Sequence, residues 1–171
     1  MDPARSSARQ DGADRTAVDA LAHEAEPETL GVLIVDDNIQ NLELLRAFLE
    51  DLGYPVRAAH DGVEAMDSIA ADPPDVVLLD VMMPRMSGFQ VCQRIKAEAR
   101  TRDIPVIMVT ALNEVGDVER AVECGADDFL TKPVNRLELL TRVRSLLRVR
   151  QLKLQLDRAM EEIRALRQRG A

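Results

Sequence analysis

Residues 76–80, VVLLD, join four large apolar side chains directly to a carboxylate, and the rest of the chain is arranged around them. Two of the four are β-branched, which predicts a buried β-strand that carries Asp80 at its carboxyl end. A charge at the end of such a strand is costly unless cationic groups meet it. Other parts of the sequence must therefore supply partners for Asp80.

The composition limits the classes of protein to which the chain can belong. Of its 171 residues, 46% are hydrophobic, which is enough for one globular domain with appended segments. Three Phe, one Tyr and no Trp leave little material for stacking nucleobases, so we expect no nucleic-acid-binding domain. The cysteines, Cys92 and Cys124, lack metal-binding spacing and indicate free thiols in the cytoplasm. No apolar run reaches the ~18 residues of a membrane span.

Three segments are predicted along the chain. Residues 1–29 are rich in charged and small residues and are predicted to form a disordered, acidic segment. Residues 30–147 alternate apolar strands with amphipathic helices and are predicted to form one domain. Residues 148–171 are predicted to continue the last helix as a coiled-coil extension.

The alternation within residues 30–147 predicts the fold class. Strands are predicted at residues 30–35, 54–59, 76–80, 104–109 and 127–131. Strands that are apolar throughout favour a parallel sheet with helices on both faces, an α/β doubly wound fold of flavodoxin-like order 2-1-3-4-5. The helices are predicted to pack through apolar stripes, which are Val63, Met66, Ile69 and Ala70 in the second helix and Leu137, Leu140, Val143 and Leu147 in the last.

Polar side chains follow several of these strands. Asp36 and Asp37 end the first strand, and the 2-1-3-4-5 order places them beside Asp80. Three crowded carboxylates require either a raised pKa or a hard divalent cation, and oxygen ligands favour Mg²⁺. Thr110 and Lys132 end the fourth and fifth strands. This inventory suits phosphoryl transfer with Asp80 as nucleophile, and because no glycine-rich nucleotide loop is present the phosphoryl group must come from elsewhere.

These residues resemble the receiver domain of two-component response regulators over roughly residues 30–147. The resemblance rests on five separated signals in order, which are Asp36-Asp37, Asp80, Thr110, Phe129 and Lys132-Pro133. It implies that Asp80 accepts a phosphoryl group from a histidine kinase, a histidine phosphotransfer protein or a small phosphodonor. It also implies magnesium ligation by Asp37, Asp80 and the backbone carbonyl of Met82, with Asp36 acting through water.

The resemblance further implies a conformational switch. Lys132 would pair with the acidic site and then with the phosphoryl group, and the Lys132–Pro133 peptide would be cis. Thr110 would bond a phosphoryl oxygen and let Phe129 swing inward, which changes the surface offered to partners. The chain would then be a signalling switch that catalyses only its own phosphorylation and dephosphorylation, not a turnover enzyme.

Several alternatives stand beside this interpretation. Taken singly, Asp-Asp after a strand is more often a helix cap, and Phe129 would pass for a core residue. A magnesium phosphatase with an aspartate nucleophile would carry a second aspartate two residues later, where this chain has Met82 or Ile39. The chain could instead be the regulatory part of a larger enzyme. No output domain is predicted after Leu166, so we expect output through binding or dimerisation.

The last helix carries a second apolar pattern beyond the predicted domain. Six positions recur at alternating steps of three and four residues, which is the spacing of a heptad repeat. We refer to them as the seam, and they are Val149, Leu152, Leu156, Ala159, Ile163 and Leu166. The seam predicts a parallel homodimer, and the alternative is a tail that docks on its own domain.

Overall fold

The structure is a computed structural model that describes residues 30–111 and 115–170, so the predicted disorder of residues 1–29 lies outside the described residues. Strands and helices alternate along the chain as predicted. The elements are β1 (Val32–Val35), α1 (Ile39–Leu49) with a short 3₁₀ turn (Glu50–Leu52), β2 (Val56–Ala59), α2 (Gly62–Ala71), β3 (Val76–Asp80), α3 (Gly88–Ala97), β4 (Val106–Thr110), α4 (Val115–Glu123), β5 (Asp128–Thr131) and α5 (Arg136–Arg169).

The strands form one parallel sheet in the order β2-β1-β3-β4-β5, which confirms the predicted topology. Val35 at the end of β1 pairs with Leu79, and Thr110 at the end of β4 pairs with Thr131. The carboxyl ends of β1, β3, β4 and β5 therefore lie along one edge of the sheet, where the predicted polar residues follow them.

Alternate residues of the strands point to opposite faces and divide the core into two clusters. The outer helices α1 and α5 cover one face, where Leu45 and Val143 pack on the strands. Helices α2, α3 and α4 cover the other face, where Ile69 and Ile95 pack. Both faces of β1, β3 and β4 are buried, because helices lie on each side of the sheet, and this accounts for their uninterrupted apolar sequence.

Side-chain caps fix the loops at the carboxyl edge. The Asn38 side chain accepts the backbone N–H groups of Gln40 and Asn41 at the start of α1. Ser87 and Gln90 form a reciprocal capping box at the start of α3. Each cap satisfies backbone N–H groups that the first turn of a helix leaves unpaired, and so holds the loop between strand and helix in place.

The predicted packing face of α2 is partly wrong. Val63 is 47% exposed and Ala70 is also exposed, whereas Ala65 and Ile69 are buried. The helix lies so close to α3 that a methyl group on Gly62 would come within 2.9 Å of Val91. Tight packing of this kind favours small side chains on the buried face. A prediction that places the larger apolar residues inside therefore assigns the wrong face of the helix to the core.

The predicted packing face of α5 needs a similar correction. Leu137 is 75% exposed, while Leu139 is fully buried together with Val143 and Leu147. The buried residues are spaced by four, and at 100° per residue Leu137 lies about 120° around the helix from their centre. Leucines occur on more than one face of this helix, so their periodicity alone does not show which face packs on the sheet.

Helix α5 continues without a break to Arg169, for 34 residues in all. The last part of it runs beyond the sheet and carries the seam. Among the helices that the structure describes, none is both long and apolar enough to cross a membrane.

Candidate functional site

Three carboxylates meet at the carboxyl edge of the sheet. One oxygen atom from each of Asp36, Asp37 and Asp80 lies within 4.8 Å of the others. Asp36 and Asp80 are 1% and 4% exposed, whereas Asp37 is open to solvent. The sequence prediction that these side chains converge agrees with the geometry, because β1 and β3 are neighbours in the sheet.

Lys132 supplies the positive charge at this site. Its Nζ donates to Asp36 Oδ2 and to Asp80 Oδ1, at 3.0 Å in both cases. The position of the lysine is fixed by the sheet, because its backbone N–H donates to the carbonyl of Thr110 at 2.8 Å. A single ammonium group, placed just after the edge strand β5, therefore bridges the two buried carboxylates.

The electrostatics of the site reflect burial opposed by pairing. Burial raises the pKa of Asp80 above its ordinary value, the hydrogen bond from Lys132 works against this rise, and the negative charge of Asp36 adds to it. For Lys132, burial by itself would lower the pKa, but hydrogen bonds to Asp36 and Asp80 outweigh it and raise the pKa. The lysine therefore stays charged, and Asp80 carries a carboxylate that is more basic than usual.

Asp36 is held by groups that the sequence analysis did not identify. Its Oδ1 accepts the backbone N–H of Asn38 at 2.9 Å, and its Oδ2 accepts the side-chain amide of Asn41 at 3.0 Å. Asn41 stands on the first turn of α1, directly before the buried Leu42. An asparagine on the first helical turn, five residues after a site carboxylate, is the sequence feature from which this contact could have been predicted.

The loop after β3 approaches the site very closely at Gly88. A Cβ atom there would lie 2.1 Å from the carbonyl oxygen of Asp80, so no larger residue fits without moving the backbone. The Gly88 N–H donates to the carbonyl of Val81 at 3.0 Å and closes the loop. In the same loop Arg85 has a positive φ of 68° and forms an ion pair with Asp61, the cap of α2.

The remaining predicted residues lie around the three carboxylates. Thr110 ends β4 and is buried, and Phe129 in β5 is 42% exposed, so its ring lies at the surface. Met82 follows Asp80 by two residues, and its side chain is 64% exposed. The Lys132–Pro133 peptide is cis.

The donor set suits one kind of metal ion. The carboxylate oxygens of Asp36, Asp37 and Asp80 are hard ligands, and the cluster contains neither thiol nor imidazole. Hard oxygen ligands in a small acidic cluster fit Mg²⁺ better than zinc or copper. The residues present therefore fit the predicted magnesium ion.

Comparison with known proteins identifies the family. Residues 32–144 match the family model described as the response regulator receiver domain. The chain belongs to the response regulator receiver family. This confirms the resemblance that the five separated signals indicated, and it confirms that the chain is a receiver of the kind found in phosphorelays.

Several curated relatives are receivers joined to further sequence. The receiver is 50% identical over 117 residues to the response regulator PleD of Caulobacter vibrioides, which covers 68% of this chain and 26% of PleD. It is 46% identical to the response regulator MprA of Mycobacterium avium, with 50% of MprA covered. RpaA of Synechocystis, a DNA-binding transcriptional regulator, is 44% identical, with 48% covered. The chain thus spans from about a quarter to half of the length of these relatives.

Solved receivers share the fold. CheY4 of Vibrio cholerae is 30% identical and superposes with a TM-score of 0.65, covering 69% of this chain and 98% of CheY4. A CheY-like receiver domain protein from Methanospirillum hungatei is 27% identical with a TM-score of 0.67, covering 72% of this chain and 98% of that one. The flavodoxin-like fold predicted from the strand pattern is confirmed.

Proposed function

We propose that the chain is a phosphorylation-controlled switch in which Asp80 accepts a phosphoryl group from a histidine kinase or a histidine phosphotransfer protein. The observation that carries this proposal is the contact of Lys132 Nζ with both Asp36 and Asp80 at 3.0 Å, beside the third carboxylate of Asp37. A buried carboxylate with raised pKa and a fixed ammonium group next to it is suited to attack phosphorus.

The chemistry assigned to this receiver follows from these positions. Lys132 bonds to Asp80 Oδ1, and we assign the attack to Oδ2. A new O–P bond forms while the P–N bond of the donor phosphohistidine breaks, and the imidazole keeps the electron pair and takes up a proton from solvent. The ammonium of Lys132 and the hydroxyl of Thr110 stabilise the negative charge on the phosphoryl oxygens.

Magnesium completes the proposed site. Asp37, Asp80 and the backbone carbonyl of Met82 would hold the ion directly, and Asp36 would act through water. When bound, the ion supplies positive charge against the phosphoryl oxygens. The hydrogen bonds that Asp36 already accepts favour this indirect role, because Asn38 occupies its Oδ1 and Asn41 and Lys132 both occupy its Oδ2.

The proposed response to phosphorylation involves Thr110 and Phe129. Thr110 would move toward the phosphoryl group, and the space it leaves would admit the ring of Phe129, which is half exposed in this structure. The faces of α4 and β5 would change as a result. Such a receiver is a switch, not a turnover enzyme, and the free thiols of Cys92 and Cys124 accord with the predicted cytoplasmic location.

Two further parts of the proposal concern assembly. Residues 30–147 form the receiver, and residues 148–171 form a helical extension through which two copies pair along the seam. A second candidate function is the regulatory segment of a longer protein. The partial coverage of PleD, MprA and RpaA favours it, since in each relative the receiver is joined to additional sequence.

The phosphoacceptor is tested by intact mass after incubation with acetyl phosphate and magnesium. The wild-type chain is expected to gain one phosphoryl group, and Asp80→Asn is expected to gain none. Asp72→Asn is the matched control, because Asp72 is an exposed aspartate paired only weakly with Arg57 at 3.6 Å. A phosphoryl gain that persists in Asp80→Asn, or is absent from the wild type, contradicts the proposal.

A further inference from the structure

The part of α5 beyond Leu147 is attached to the receiver along one face, which we call the inner face. Lys153 Nζ lies 2.6 Å from Asp103 Oδ1, and Arg150 Nε lies 3.6 Å from Asp75 Oδ1. Leu154 packs partly buried against the same core cluster as Leu147. These contacts lie at the amino end of the sheet, opposite the Asp80 site, and they fix the direction in which the helix leaves the receiver.

The seam lies on the other side of this helix. At 100° per residue its six positions are centred roughly opposite the inner face. Their large side chains are exposed, from 45% for Ile163 to 67% for Leu166. Because the inner face is held by the receiver, the seam cannot turn inward to be covered by its own domain. A stripe of this length needs another helix with the same spacing.

We propose that a second copy of this chain covers the seam in parallel orientation, and that Asp103 permits this orientation by neutralising Lys153. This rests on the homodimer in the proposed function and specifies its arrangement. In the parallel dimer, the positions that flank the seam meet across the two chains. Arg148 faces Lys153, Gln155 faces Met160, and Glu162 faces Arg167, each residue of the second set belonging to the other copy.

Charge favours the parallel arrangement over its reverse. An antiparallel pairing of the same six layers would set Arg148 against Arg169 and Gln155 against Glu162, which gives repulsion and no attractive pair. The parallel pairing has one attractive pair, Glu162 with Arg167, and one repulsive pair. Repulsion between Arg148 and Lys153 offsets the attraction between Glu162 and Arg167, so the size of the preference depends on how strongly Arg148 and Lys153 repel each other.

Asp103 weakens that repulsion. Its carboxylate lies 2.6 Å from the ammonium of Lys153 within the same chain, so Arg148 of the second copy meets a neutralised pair instead of a free cation. The hydrogen bond from Lys153 lowers the pKa of Asp103, which keeps the carboxylate charged at neutral pH. Asp103 is thus a positioning residue for the dimer and makes no seam contact itself.

Sedimentation equilibrium of the full chain measures the effect. Asp103→Asn is expected to weaken dimerisation about fivefold, or about 1 kcal/mol, because the dimer contains two symmetric copies of this exposed pair. Asp72→Asn changes the charge equally at a site away from the helix and is expected to leave the dimer unchanged. A wild-type chain that stays monomeric at every concentration overturns the pairing, and an Asp103→Asn dimer of unchanged affinity overturns the role of Asp103.

A double-mutant comparison separates this role from a general loss of stability. Arg148→Glu converts the repulsive pair into an attractive one, so Asp103 is no longer needed for neutralisation. In that background Asp103→Asn is expected to leave the dimer as tight or make it tighter. Continued weakening in the Arg148→Glu background shows that Asp103 acts only through the fold and overturns the proposal.

Orientation and seam are tested on the same chain. Gly170 occupies the next heptad position after Leu166, so Gly170→Cys is expected to form an interchain disulfide under oxidised glutathione in a parallel dimer. In the antiparallel case the two cysteines would lie about 37 Å apart at 1.5 Å per residue, and a dimer without crosslinking overturns the parallel arrangement.

Leu156→Glu places a charge in the seam and is expected to abolish dimerisation, whereas Gln151→Glu, which lies off the seam, is expected to leave the dimer intact. Phosphoryl uptake by these variants is expected to remain, which separates failure of the dimer from failure of Asp80.

Discussion

Acid–base pairs occur at both ends of the sheet, and their surroundings differ. At the carboxyl end Lys132 meets Asp36 and Asp80, whose side chains are 1% and 5% exposed. At the amino end Lys153 meets Asp103, and both side chains are more than 40% exposed. Both contacts join a lysine ammonium group to aspartate carboxylates. Burial makes the first pair indispensable to the site, while solvent screening limits the second to a small bias in geometry.

The comparison also explains where each end is rigid. At the carboxyl edge, caps and the closely packed Gly88 hold the loops against the buried pair. At the amino edge, one helix leaves the receiver and is held by the exposed pair Lys153–Asp103, the more buried pair Arg150–Asp75 and the partly buried Leu154. A phosphoryl site requires fixed geometry, and an assembly helix requires only a preferred direction.

The largest effect is expected from removing the buried cation. Lys132→Met leaves two buried carboxylates without their shared partner and is expected to reduce the free energy of unfolding by about 3 kcal/mol. Phosphoryl uptake should also be lost. Urea denaturation with EDTA present measures the first effect without contribution from metal. A loss in unfolding free energy below about 1 kcal/mol would mean that the buried Lys132 contact contributes no more than the exposed Lys153–Asp103 pair.

The same variant predicts a pH dependence. Burial already raises the pKa of Asp80, and Lys132→Met removes the lysine hydrogen bond that opposes this rise. A carboxyl group with a raised folded pKa favours the folded state below its unfolded pKa and loses that contribution as pH rises through the folded value. The stability gap between Lys132→Met and the wild type is therefore expected to narrow as the pH falls through the raised folded-state pKa of Asp80 in the variant. A gap that widens in acid would contradict this assignment of the charge.

The two ends of the sheet are next distinguished by glycine substitutions. Gly88→Ala places a methyl group against the Asp80 carbonyl oxygen and is expected to cost about 2 kcal/mol with slower phosphorylation. Gly31→Ala at the amino edge meets nothing within 4 Å and is expected to change stability by less than about 0.5 kcal/mol. Urea midpoints of both variants make the comparison, and equal losses would show that the loop after β3 can yield.

The smallest effect is expected at the exposed pair. Lys153→Ala removes the contact with Asp103 and is expected to change the free energy of unfolding by less than about 0.5 kcal/mol. Added salt should reduce even this difference, because exposed charges are screened. Urea denaturation at low and high salt checks both statements. A loss of several kcal/mol would mean that the base of the receiver depends on this pair for folding.

Much of the site could be predicted from local sequence. Each predicted polar residue ends a strand or directly follows one, and parallel strands bring their carboxyl ends together. These residues are Asp36, Asp37, Asp80, Thr110 and Lys132. Asn41 was missed because it lies on a helix, where an amide on the first turn is ordinary. Its contact with Asp36 exists because α1 begins at one particular angle after the Asn38 cap.

Helix phase was the other part that local pattern could not decide. In α5 both Leu137 and Leu139 fit an apolar stripe, but only Leu139 is buried. Which of the two is buried depends on how the helix packs against β3 and α1. In α2 the small Ala65 faces the core because two helices approach closely there. Both are properties of packing between elements that are distant in sequence.

The residues at the carboxyl edge and the heptad spacing of the seam could be predicted because each depends on a short pattern of side chains, and the strand order followed from the usual connections of a doubly wound sheet. The tertiary structure was needed to show which carboxylates are buried, that one lysine bridges two of them, and that the seam faces away from the receiver. Burial and pairing depend on contacts between residues as far apart as Asp36 and Lys132, and no local pattern records those distances.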